Sequence, residues 1–159
     1  MFNIEFLSSL GKKTQLLNRN SAEVVNFCKG INWLQEIKNH YHAYRSDEYI
    51  AYEDYWYLDL SAIESRLNLN VFLNYIHEDQ LHEHNLNFVV TLSWYHLEKT
   101  GWLTKFITRK EEKKVWDARH ADEILVKDLE QIIKCFVEGD LAQLNSILPL
   151  EGEHQFDVD

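Results

Sequence analysis

Residues 88–110 read FVVTLSWYHLEKTGWLTKFITRK, and two folds compete for them. Read as a helix, the segment starts at Asn85, whose side chain can cap the first turn of NLNFVVTLSWYHLEKTG (85–101). Leu86, Val89, Val90, Ser93, Trp94 and Leu97 then share one face, and Phe88, Leu92 and Tyr95 share the other. A helix apolar on both faces belongs at the centre of a helical fold, and Gly101 stands where such a helix would stop. Read as strands, the same residues are rich in β-branched and aromatic side chains around an EKTG turn, which predicts a β-hairpin over 88–108.

The helical reading is adopted, with the hairpin as its alternative, because the dominant period along the chain is helical. In SAEVVNFCKGINWLQEIKNHYHAY (21–44), Val24, Phe27, Cys28, Ile31, Leu34, Ile37, Tyr41 and Tyr44 recur at spacings of three and four, with Ser21 as N-cap and Gly30 inside one helix. Ser61 and Glu64 form a capping-box pattern ahead of Ile63, Leu67, Val71 and Tyr75. Ile124, Leu125, Leu129, Ile132, Ile133, Phe136 and Val137 mark an amphipathic helix that Gly139 ends. Asp140 and Gln143 open a short helix through Leu141, Leu144 and Leu148, stopped by Pro149. The expected architecture is all-α: one domain over 1–150, a bundle or irregular array of six or seven helices, with 151–159 as a polar C-terminal tail.

Composition narrows the function classes. A chain of 159 residues, 45% apolar and 13% aromatic, has enough material for one hydrophobic core. The opening MFNIEFLSSLGKK lacks the pattern of a signal peptide, and no apolar run is long enough to span a membrane, so a cytoplasmic setting is expected. Cys28 and Cys135 each lie among apolar residues and read as buried, reduced thiols. Net charge is −10, and it is unevenly spread. Residues 46–98 hold ten acids and one base, and 120–159 hold ten acids and two bases, whereas 99–119 hold seven bases and three acids. Acidic blocks repel the phosphate backbone, so a basic protein is a better partner than nucleic acid.

The chain offers little for catalysis. Neither a nucleophile elbow nor a glycine-rich phosphate loop is present. Eight histidines invite a search for metal ligands, and HEDQLHEH (77–84) is the densest cluster. The zinc-helix pattern fails there, because His82 follows His77 by five residues, about 140° round a helix. A looser set of Asp79, His82 and Glu83, with His84, would support a metal-dependent enzyme as an alternative function. His40 and His42 flank Tyr41 and read as surface groups. No metal or cofactor is expected.

The candidate partner surface is DEYIAYEDYWYLDL (47–60), which has five acids, five aromatic residues and no base. Tyr49, Tyr52, Trp56 and Leu60 form a helical stripe that can anchor the segment to a core. Asp47, Glu48, Tyr52, Glu53, Asp54, Tyr55, Trp56, Tyr57 and Asp59 are the candidate contacts. Tyrosine and tryptophan bury large area with few rotatable bonds, and carboxylates beside them steer and pair with lysine and arginine.

In size, acidity and expected helicity the chain resembles bacterial immunity proteins of contact-dependent inhibition systems. The resemblance implies a cytoplasmic, non-enzymatic inhibitor. It would neutralise a cognate, basic, nuclease-like toxin by placing an acidic, aromatic surface in the toxin's active-site cleft. An adaptor that self-associates through the basic 99–119 block and an acidic block is a further alternative.

Overall fold

Phe2, Ile4 and Phe6 alternate with Asn3, Glu5 and Leu7, and only an extended strand gathers each set on its own side. The computed structural model describes residues 1–45, 56–73, 86–99, 112–148 and 151–158, and in it this stretch is β1 (Phe2–Leu7). A turn with Gly11 at φ +73° leads into β2 (Lys13–Arg19). The other strands are β3 (Tyr57–Ala62), β4 (Leu67–Leu73), β5 (Asn87–Lys99), β6 (Glu112–Leu125) and β7 (Glu151–Val158). They form one sheet of order β2-β1-β3-β4-β5-β6-β7, with every neighbouring pair antiparallel. Helices α1 (Ser21–Lys29) and α2 (Trp33–Arg45) carry the chain from edge strand β2 past β1 to β3. Helices α3 (Val126–Glu138) and α4 (Leu141–Ile147) lie between β6 and β7.

The all-α expectation is therefore corrected to a mixed α/β fold, with seven strands and four helices among the described residues. The error has a simple geometric origin. Positions four apart lie on one side of a helix, and also on one side of a strand, where every second residue faces the same way. Leu67 and Val71 fit a helical stripe, yet Leu69 and Leu73 complete a period of two, and LNLNVFL is β4. The Ser61–Glu64 capping box is absent; β3 ends at Ala62, and a turn containing Arg66 at φ +58° joins it to β4. Residues 87–99 form a strand rather than the central helix, and β5 pairs with residues 112–125 instead of folding back across the EKTG turn. Glu98 and Lys99 of that turn are the last residues of β5, and residues 100–111 lie outside the described residues. Residues 151–158, expected as a polar tail, pair with β6.

Several local signals read as expected. Gly139 ends α3 in the left-handed conformation, at φ +74°. Asp140 accepts a hydrogen bond from the Gln143 amide at 3.0 Å and opens α4. The single helix over 21–44 is instead two. Asn20, not Ser21, caps α1, in a reciprocal box with Glu23. After Gly30 the chain is capped again by Asn32, which accepts from the Gln35 amide at 3.1 Å.

The helices cover one face of the sheet. Ile4, Leu58, Leu60, Leu69, Val71, Phe88 and Val90 are all buried, in one cluster with Val24 and Ile37 from the first helix pair and Leu129, Ile132 and Phe136 from α3. Trp56, at the entry to β3, is 2% exposed and packs beside Trp33 of α2, ring centroids 5.8 Å apart. Phe88 of β5 closes the group at 5.3 Å from Trp33 and 6.1 Å from Trp56. These three rings fasten α2 to the middle of the sheet. Among the described residues no helix is long and apolar enough to cross a membrane.

Removing the Trp56 ring leaves a cavity where three elements meet. Trp56→Ala is expected to lower unfolding free energy by about 3–5 kcal/mol. Urea titration measures this directly, and a loss below about 1 kcal/mol would contradict the packing role.

Candidate interaction surface

Alternation gives the sheet a second face, opposite the helices. Register places Gln15, Glu5, Asp59, Asn70, Thr91 and His120 side by side on β2, β1, β3, β4, β5 and β6. Neighbouring strands lie about 4.8 Å apart, so this row of polar residues spans about 24 Å. Asn3, Ser61, Asn68 and Ser93 form a second polar row beside it. On its other side Tyr57 and Phe72 are paired, their ring centroids 6.4 Å apart, and Phe72 is 38% exposed.

Two carboxylates oppose each other in the first row, Glu5 on β1 and Asp59 on β3. Their electrostatics differ. Glu5 accepts from Lys13 Nζ at 2.7 Å, from the Tyr57 hydroxyl and from the Gln15 amide. These donors, Lys13 foremost, hold its carboxyl down at about 2, so it is an anion at any ordinary pH. The same contact holds the Tyr57 phenol above its usual range, because the proton it shares with Glu5 is harder to remove. Asp59 is half-buried, and its Oδ1 has no hydrogen-bond partner. Burial, with the negative charge of Glu5 added, pushes its carboxyl up to about 6. The face thus holds one fully engaged anion beside a carboxyl whose Oδ1 is shut away from solvent without a donor. Two negative charges in register favour an approaching cation.

The candidate contacts are distributed unevenly. Asp47, Glu48, Tyr52, Glu53, Asp54 and Tyr55 lie outside the described residues. Trp56 is in the core, and Tyr57 and Asp59 lie on the open face, in contact or in register with Glu5. The helical stripe through Trp56 and Leu60 is corrected: both are buried on the helix-facing side of extended chain. Glu5, Lys13, Gln15, Asn70, Thr91 and His120 had no place in the sequence reading. The alternation in FNIEFL and LNLNVFL was the signal that would have found Glu5 and Asn70.

The remaining candidates for chemistry are quiet. His40, expected at the surface, is 9% exposed, and burial lowers its pKa; His42 is exposed. Both cysteines are buried free thiols, and burial pushes Cys28 up to about 12, so it is protonated at neutral pH. Among the described residues no three metal-ligating side chains come together, and the 77–84 cluster lies outside them. No protein-family model matches the chain, and neither does any curated protein or solved structure.

The opposed carboxylates predict a pH dependence. Asp59 holds its proton more tightly in the folded chain than its ordinary value of 3.8, so its contribution favours the fold below that value and is lost as pH rises through about 6. Glu5 acts in reverse: its contribution is present above its ordinary 4.5 and is lost as pH falls toward 2. Asp59→Asn should gain stability relative to the parent between about pH 4 and 6, on the order of 1–2 kcal/mol after allowing for solvent contact, and level off above. Glu5→Gln should lower the Asp59 titration in carboxyl-carbon NMR without restoring its ordinary value, because burial is the larger cause. A pH-independent difference for Asp59→Asn would show that this carboxyl is not perturbed.

Proposed function

We propose that the chain is an inhibitor of the immunity type, and that it binds a basic protein toxin through the open face of its sheet. The observation that carries this reading is the Glu5–Asp59 pair beside Tyr57 and Phe72 on the face that the helices among the described residues do not cover. An arginine or lysine of the partner would be drawn to the paired negative charges of Glu5 and Asp59. Tyr57 and Phe72 would bury apolar area next to it, the combination of anchor and charge that concentrates binding energy. Asp47, Glu48, Glu53 and Asp54, just ahead of β3 in sequence, add negative charge that steers the same partner. Tyr52 and Tyr55 belong to that segment and join the proposed contacts. Trp56 is left out of the contact set because it is core.

Nuclease-like toxins bind a polyanion and therefore carry basic clefts. An acidic face seated in such a cleft would exclude the substrate, and the same charge disfavours nucleic acid as a partner of this chain. An inhibitor of this kind works where its toxin works, which places it in the cytoplasm.

The test has two steps: sequencing shows whether the reading frame ahead of this chain's gene encodes a large secreted protein with a variable C-terminal domain, and calorimetry at low and high salt then measures binding of this chain to that domain. Asp59→Asn and Phe72→Ser are each expected to weaken binding about ten-fold or more, with unfolding still cooperative. Raising salt should weaken the parent more than Asp59→Asn. If both variants bind like the parent, the open face is not the interface. If the parent binds no basic protein domain, the inhibitor reading itself fails.

A further inference from the structure

Charge and apolar bulk on the open face are balanced about one row. That row is Asn3, Ser61, Asn68 and Ser93, uncharged and in register on β1, β3, β4 and β5. Two residues along the strands to one side stand Glu5, Asp59 and Asn70. Two residues to the other side, the Arg66 guanidinium lies over the Tyr95 ring, 5.3 Å from its centroid. Four residues to the first side is Phe72, 38% exposed, and four to the second is Leu97, 43% exposed.

Arg66 is held in a fixed place. It sits at φ +58°, a backbone conformation that favours glycine or asparagine, in the turn that leads into β4. The ion pairs among the described residues do not engage its guanidinium, and Glu64 of the same turn faces the N-terminal amine at 3.6 Å. Stacking on Tyr95 covers one face of the guanidinium and leaves its N–H edge for an anion. The open face therefore carries a negative pair and a positive group about 13 Å apart along the strands, with the uncharged row midway.

Such a face is complementary to itself. A second copy, turned by half a turn about an axis along the middle row, lays its negative side over Arg66 and its Phe72 side over Leu97, and receives the same contacts in return. Asp59 and Arg66 belong to adjacent strands, as do Phe72 and Leu97, a sideways step of about 4.8 Å that these side chains span. We propose that the chain forms a two-fold dimer by packing the open faces of two copies together. Arg66 of one copy lies beside Asp59 and Asn70 of the other, Phe72 lies against Leu97, and the two sheets cross at a small angle as in a β-sandwich. A face of six strands by nine positions covers about 24 by 26 Å, or about 600 Å² per copy. That is below the roughly 800 Å² of a typical specific interface, so the dimer is reversible, with a micromolar Kd. The same face is the one proposed to meet the toxin, so dimer and complex exclude each other. The dimer does not rest on the inhibitor reading, and it is measured with no toxin present.

Sedimentation velocity of the full chain, from about 1 to about 500 μM, should show a reversible shift from monomer to dimer. Arg66→Asn keeps the turn, because asparagine tolerates a positive φ, and removes the charge. It and Leu97→Ser should each weaken dimerisation about ten-fold or more, with thermal unfolding still cooperative. Lys29→Gln, at an exposed position on the helical side, makes the same change in net charge and should dimerise like the parent. Cross-pairing tests the two-fold register. A mixture of Phe72→Ser and Leu97→Ser chains restores one of the two Phe72–Leu97 contacts, so it should associate more tightly than either variant alone. Four outcomes would overturn the proposal. These are a parent that stays monomeric to about 500 μM, Arg66→Asn or Leu97→Ser dimerising like the parent, Lys29→Gln weakening the dimer as much as Arg66→Asn, and a mixture no tighter than its components.

Discussion

Leu58, Leu60, Leu69, Val71, Phe88 and Val90 are shut away from water because they occupy one face of an antiparallel sheet and share a buried cluster with residues of the helices. Everything else follows from this one-sided burial. A strand delivers alternate side chains to opposite faces, so each residue added to the core puts its neighbour on the uncovered side. The helices are held by the same surface. Trp33 of α2 reaches Trp56 and Phe88 on two strands, and Phe136 of α3 reaches Phe2 of β1, with ring centroids 6.0 Å apart.

The uncovered face inherits polar residues in rows, and rows across a sheet force side chains into contact. Glu5 and Asp59 cannot avoid each other, because β1 and β3 are paired in that register. The structure resolves their repulsion by giving Glu5 three donors and leaving Asp59 a raised carboxyl. A buried acceptor without a donor costs stability, and Asp59 Oδ1 is such an atom.

The legible parts of the sequence were those whose evidence is local. The Gly139 stop and the Asp140 cap are decided within one turn of chain, and both read as they fold. The strands were lost to an ambiguity of period. Leu86, Val90 and Trp94 stand four apart and suit either structure, and Phe88 and Leu92, which share their face in β5, were assigned to the opposite side of a helix. Trp56 shows the same difficulty at the site: the sequence places it both in a core-anchoring stripe and among the acidic contacts, and its ring belongs to the core. Tyr57 and Asp59 were named from composition alone, without the residues that give them their properties.

By itself, then, the sequence determined the acidity, the stop of α3 at Gly139 and the Asp140 cap of α4, the burial of two free thiols and the strong acidic and aromatic character ahead of β3. Those depend on composition or on residues within a turn of one another. Only the tertiary structure decided which face of the sheet is covered, that Tyr57 meets Glu5 across 52 positions of chain, and that Arg66 lies over Tyr95. Strand pairing and helix docking are long-range choices, made by the burial of one whole face together, and no short window of sequence records them.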